Sequence, residues 1–158
     1  MVTIHGTCVL ISGIGVLLRG RSGSGKSDLA LRLVDGGARL VADDQVELRM
    51  VHGRLMATAP AALAGLLEAR GVGILPVPTE DGAEVGLVVD LVPRDRVERL
   101  PEPETALLLD RPVPRLSLCA FDASTPAKLR LAAAAARAGT LGAIPAAKIP
   151  AEEASARP

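Results

Sequence analysis

Aromatic side chains are almost absent from this 158-residue chain: Phe121 stands alone, without a single Trp or Tyr. Binders of RNA and single-stranded DNA stack bases on aromatic rings, so that chemistry has no platform here and nucleic acid is not expected as a partner. Cysteine is equally scarce. Cys8 and Cys119 lie far apart with no C-x-x-C spacing, which argues against a disulfide framework or a zinc knuckle and reads as two small core residues. Net charge is also missing, because 18 basic side chains balance 18 acidic ones, and no large field draws the chain toward nucleic acid or an anionic membrane. No apolar run approaches the length that spans a bilayer, and the N-terminus lacks the basic stretch of a signal peptide. A cytoplasmic protein without a membrane partner is the expectation.

What is present is core material: 49% of the residues are apolar, enough for one domain to fold unaided. Residues 7–11 and 14–18 are apolar runs flanking Ser12-Gly13 and predict a β-hairpin whose second strand feeds a Gly-rich loop. Residues 28–34 show helical spacing, with a start near Lys26 and a stop at Gly36-Gly37. A short strand over 39–42 ends at Asp43-Asp44, and 46–51 with 54–59 predict another hairpin around His52-Gly53. Residues 61–69 read as a short helix and 71–78 as a Gly- and Pro-rich loop. Strands are predicted at 84–92, 105–109 and 113–119. Ser124 or Thr125 caps a helix that has Pro126 at its first position and runs to Ala138, where Gly139 ends it. The domain is therefore expected over 1–139 and a frayed Ala- and Pro-rich tail over 140–158.

Between the second strand and the first helix, Gly20, Arg21, Ser22, Gly23, Ser24, Gly25, Lys26 and Ser27 spell the G-x-x-x-x-G-K-S pattern of a phosphate-binding P-loop. Strand, Gly-rich loop and helix follow in the order that such a site requires. The glycines let backbone N–H groups turn into one concavity, and the helix adds the positive end of its dipole. Lys26 suits the β and γ phosphates, and the Ser27 hydroxyl suits magnesium. The chain has 15 arginines and three lysines, yet a lysine stands where a point charge is needed. A carboxylate is also required nearby, to help hold the metal or to take a proton, and Asp43-Asp44 ends the next strand.

From His5 through Asp44 the sequence resembles the catalytic domain of the HPr kinase/phosphorylase family: His-Gly ahead of the P-loop, the P-loop, and Leu-Val-Ala-Asp-Asp at the family's spacing. A second block, Leu67-Glu68-Ala69-Arg70-Gly71-Val72-Gly73-Ile74, is similar to the family's signature motif. The resemblance implies an α/β P-loop kinase with a mixed sheet and flanking helices, similar in fold to phosphoenolpyruvate carboxykinase and corresponding to the short, catalytic-domain-only members. It implies ATP or pyrophosphate as donor, Mg2+, and a regulatory serine on the phosphocarrier HPr, or a paralogue, as acceptor.

By the same resemblance Asp44 accepts the seryl proton with Asp43 beside it, Glu68 joins Ser27 at the metal, and His5 belongs to the site. Arg70 neutralises phosphate oxygens. Arg99 faces the transferring phosphoryl group, with Arg94 and Arg96 as alternatives. Many members carry Pro-Gly-Arg-Asn, associated with dephosphorylation; the corresponding stretch is taken as residues 112–117, which lack the Gly and Asn, so phosphorylase activity is expected to be weak or missing. A hexamer is implied, with the apolar segment 71–78 at a subunit contact. A nucleotide-binding regulator without turnover and a small-molecule P-loop kinase are the alternatives. With no aromatic expected at the base, nucleotide selectivity should be weak.

Overall fold

The computed structural model describes residues 1–144, so most of the expected tail lies outside the described residues. The architecture is mixed α/β, as expected. One curled nine-stranded sheet contains β1 (Val2–His5), β2 (Thr7–Ile11), β3 (Ile14–Arg19), β4 (Arg39–Ala42), β5 (Gln45–Val51) and β6 (Arg54–Thr58). After the separate two-stranded ribbon of β7 (Leu66–Ala69) and β8 (Gly73–Pro76), the large sheet resumes with β9 (Ala83–Leu91), β10 (Glu104–Leu108) and β11 (Arg111–Leu118). The helices are α1 (Lys26–Asp35) and α2 (Thr125–Ala138).

Local chemistry explains the tight turns. Ser12 and Gly13 have φ of 52° and 82°, and His52 and Gly53 have 50° and 76°, the paired positive angles of two-residue hairpin turns that match strand twist. Leu109 and Asp110 make the same kind of turn without a glycine, at 48° and 61°. Helix α2 carries Pro at its start and ends in a Schellman motif: Gly139 is left-handed, its N–H bonds Ala136 at 3.2 Å, and the Thr140 N–H bonds Ala135 at 2.8 Å.

The central strands are buried on both faces. Val16, Leu18, Leu87 and Val89 join Leu29, Leu33, Leu129 and Ala133 in the core beneath the two helices. Leu17 and Val88, pointing the other way as strand alternation demands, pack with Val46, Leu48, Leu55 and Val85 inside the curl. Both cysteines are buried and unpaired, and burial pushes the Cys8 thiol up to about 12.

Three segments differ from expectation. Residues 61–69 are not a helix: a short 3-10 turn (Ala61–Leu63) gives way at Gly65, whose φ is +79°, to β7. Leu67 is buried while Leu66 and Glu68 face out, the period-two pattern of a half-buried strand, and packing overrides helix propensity there. The loop expected at 71–78 contains β8, paired with β7 from Ala69–Gly73 to Leu66–Pro76. β1, for which no strand was expected, pairs with β5 from Val2–Leu48 to His5–Gln45.

β3, β9 and β11 run parallel, and β4 runs parallel to them because both it and β3 are antiparallel to β2. The C-terminal ends of these four strands therefore share one edge, the place where open α/β sheets bind ligands.

Candidate functional site

The P-loop leaves β3 at that edge. Gly23 and Gly25 have φ of 82° and 98°, and a Cβ on Gly25 would lie 2.7 Å from the Ala120 Cβ. A side chain at Gly20 would collide with Ser24 Oγ, which is buried and unpartnered among the described residues. Lys26 Nζ donates to the carbonyls of Gly20 at 2.7 Å and Arg21 at 3.0 Å. It thus sits across the loop at the start of α1, adding its charge to the helix dipole.

Behind the loop, Asp43 Oδ1 accepts from Ser27 Oγ at 2.8 Å and from the buried Thr7 Oγ1 at 3.0 Å. Strand pairing brings them together: β4 lies against β2, so the residue after β4 meets the first residue of β2. Asp44 is exposed and has φ +68°. The Gln45 N–H bonds the Asp43 carbonyl at 2.8 Å, so Asp44 occupies the centre of a three-residue turn in its rare, strained positive-φ form. Its Oδ1 lies 3.7 Å from His5 Nδ1, both side chains being open to solvent.

A cleft of about 590 Å³ is lined by His5, Asp44, Glu68 and Arg70 together with Gly20, Ser22, Gly23, Gly25, Lys26 and Ser27 of the loop. Leu67 anchors β7 in the core, and alternation along that strand turns Glu68 outward to the cleft. Asp43 stands behind the cleft lining, hydrogen-bonded to Ser27. Two lining residues were not foreseen. Asp28 is in the first turn of α1, hydrogen-bonded to Arg32 at 3.1 Å. Phe121 follows β11, with ring atoms Cε1 and Cζ 3.0 Å from where a Gly25 Cβ would be. An aromatic ring therefore does stand at the P-loop cleft, because the turn between β11 and α2 folds over the start of α1.

Other expected residues lie elsewhere. Arg99 belongs to the exposed segment before β10 and does not line the cleft. Arg96 faces a smaller hollow with Glu98 and Arg115, and Arg94 is ion-paired with Asp122. Residues 112–117 lie within β11, outside the cleft lining.

At the exit of β3, Arg19 clamps Asp90 through two hydrogen bonds of 2.8 and 3.0 Å, and Arg115 bonds both Asp90 and Glu104. Burial works to raise the Asp90 pKa, but hydrogen bonds and charge from the two arginines outweigh it and hold the carboxyl below its ordinary value. Arg115 is raised in turn, chiefly by its hydrogen bond to Asp90. The network ties β3, β9, β10 and β11 together where the P-loop begins.

For magnesium, the Ser27 hydroxyl beside the Asp43 carboxylate, with Glu68 on the cleft wall, is an oxygen-only donor set that fits a hard cation. Among the described residues, no group of three or more His, Cys, Asp or Glu is gathered closely enough to hold a metal ion by itself, and no helix is long and apolar enough to cross a membrane.

Residues 1–140 match the family model described as HPr Serine kinase C-terminal domain. The chain belongs to this family. Similar relatives include the HPr kinase/phosphorylase of Geobacillus kaustophilus, 42% identical over 127 residues that make up 73% of this chain and 41% of that one. The HPr kinase/phosphorylase of Caldanaerobacter subterraneus subsp. tengcongensis is 43% identical over 129 residues, 74% of this chain and 42% of that one. The chain thus spans about two fifths of the length of these relatives. Among solved structures, the HPr(Ser) kinase/phosphatase from Coxiella burnetii superposes with a TM-score of 0.80 at 27% identity, covering 90% of this chain and 94% of that one.

Proposed function

We propose that this chain is an ATP-dependent protein-serine kinase whose acceptor is a regulatory serine of HPr or a paralogous phosphocarrier. The observation that carries the reading is one open cleft in which a P-loop faces Asp44, a carboxylate held forward in a strained turn. On donor binding, Lys26 exchanges the Gly20 and Arg21 carbonyls for phosphate oxygens, and the N–H groups of the loop cradle the phosphates. The seryl oxygen attacks the γ phosphorus, the bond to the β-phosphate oxygen breaks, ADP leaves, and Asp44 takes the seryl proton. Ser27 and Glu68 would hold a magnesium ion, which would supply charge neutralisation for the donor's phosphates.

Charge stabilisation of the transferring group is assigned to Arg70 rather than Arg99, because Arg70 lines the cleft. His5 stands beside Asp44 and supports its orientation. Phosphorolysis of the phosphoserine back to pyrophosphate is proposed to be weak. Rapid pyrophosphate release from serine-phosphorylated HPr in excess inorganic phosphate would overturn that point. The main reading is tested by single-turnover transfer to purified HPr with ATP and with pyrophosphate as donors; absence of transfer from ATP would sink it.

Family membership also supports a cytoplasmic oligomer, proposed as a hexamer. Val72, Ile74 and Leu75 of the β7–β8 ribbon are exposed and offer an apolar contact surface. Ile74→Asp should then give smaller particles in sedimentation, whereas a monomeric wild-type protein would refute the assembly.

A further inference from the structure

The one phenyl ring of the chain, that of Phe121, is left 62% exposed, although burying a Phe contributes about 1.5–3 kcal/mol in a core. The fold instead sets Phe121 on the wall of the phosphate cleft, against Gly25. Its backbone is firmly held. Arg32 donates to the carbonyls of Ala120 and Asp122 on either side, Arg94 pairs with the Asp122 carboxylate, and Thr125 bonds the Cys119 carbonyl.

Strand order supplies the direction. Across the sheet the sequence is β11, β9, β3, β2, β4. The P-loop follows β3, Asp43 and Asp44 follow β4 two strands to one side, and Phe121 follows β11 two strands to the other. Neighbouring strands are about 4.8 Å apart, so the proton acceptor and the ring stand roughly 10 Å away from β3 on opposite sides. A triphosphate lying in the loop with its γ end toward Asp44 must carry its α end, and whatever is attached there, toward Phe121.

We infer that Phe121 is the stacking platform for the nucleobase of the donor. The inference rests on the nucleoside-triphosphate reading above and adds how the base is bound. A flat apolar face stacks on any purine without reading its hydrogen-bonding edge, so ATP and GTP gain alike and pyrophosphate gains nothing.

The experiment compares ATP, GTP and pyrophosphate binding to the full chain as wild type, Phe121→Ala and Phe121→Trp. Since the ring is exposed, both variants should fold, which circular dichroism checks. Phe121→Ala is expected to weaken ATP and GTP roughly 5- to 150-fold, the range carried by base–aromatic stacking, with pyrophosphate unchanged. Phe121→Trp should keep nucleotide affinity and, as the sole Trp, lose fluorescence on adding ATP or GTP but not pyrophosphate. Equal weakening of all three ligands by Phe121→Ala would mean that the ring only supports Gly25, and would overturn the inference. Unchanged nucleotide affinity with impaired transfer to HPr would overturn it in favour of a protein-docking ring. Wild-type protein that binds pyrophosphate but no nucleoside triphosphate would refute the donor reading itself, an outcome visible before any substitution is made.

Discussion

Ser27 Oγ and Asp43 Oδ1, sixteen residues apart in the chain, are joined by a 2.8 Å hydrogen bond that couples the start of α1 to the end of β4. The same oxygen accepts from Thr7, which is fully buried. Asp43→Ala leaves that hydroxyl buried without its acceptor and releases Ser27. The expected cost is about 1–3 kcal/mol, read by urea denaturation, with Asp43→Asn milder because an acceptor remains. An Asp43→Ala protein as stable as wild type would contradict this account.

Asp44, proposed to take the seryl proton, is held at a strained positive φ. Asp44→Asn should lower the single-turnover transfer rate by about 10²–10⁴-fold while ATP still binds. Asp44→Gly should lose transfer as well, yet raise the unfolding free energy by about 1 kcal/mol as the strain at φ +68° relaxes. Retained transfer in either variant would remove Asp44 from its proposed role.

The two P-loop glycines with positive φ are not equivalent. Gly23 has open space around the position of a Cβ, whereas a Cβ on Gly25 would meet Ala120 at 2.7 Å and Phe121 at 3.0 Å. Gly23→Ala should therefore cost only backbone strain, about 1 kcal/mol. Gly25→Ala should cost more and also weaken pyrophosphate binding, since helix start and turn must separate. Titration calorimetry with thermal melts distinguishes the two, and equal effects would argue against the close approach.

Asp90 should make the fold acid-sensitive. Its folded-state pKa lies below the unfolded value, so the stabilisation is fully present above about pH 4 and is lost as pH falls through the lower folded value. Asp90→Asn should flatten that part of the pH profile and destabilise the protein at neutral pH, where Arg19 and Arg115 lose their shared counter-charge. Urea midpoints at pH 7 and pH 3 test this; an unchanged acid slope in Asp90→Asn would assign it to other carboxylates.

Much of the fold is legible wherever local chemistry decides. Ser12-Gly13 and His52-Gly53 announce turns because each pair ends in a glycine, which has no Cβ to oppose positive φ, and Gly36 and Gly139 mark helix ends. Residues 61–69 mislead because Ala and Leu favour a helix in isolation, while Gly65 and the buried Leu67 make the native segment a turn and a strand. β1 and β8 bury almost nothing, so they leave no apolar period to read; they exist because a neighbouring strand offers its edge.

The candidate site divides along the same line. The phosphate cradle is determined by the sequence itself, since its glycines, Lys26 and Ser27 are contiguous and their geometry is set by one loop and the first turn of one helix. Asp43 and Asp44 are nearly as local, one strand further on. His5, Glu68 and Arg70 are indicated in the sequence only by family motifs, and that they share one cleft with the loop, and with Phe121, was decided by the tertiary structure. Strand order carries Phe121 to the P-loop and leaves Arg99 outside the cleft lining, and the alternation of β7 turns Glu68 toward it. The placements of Phe121 and Arg99 depend on pairings between distant segments, whose energies come from burial of the whole sheet and leave no local pattern at the residues they position.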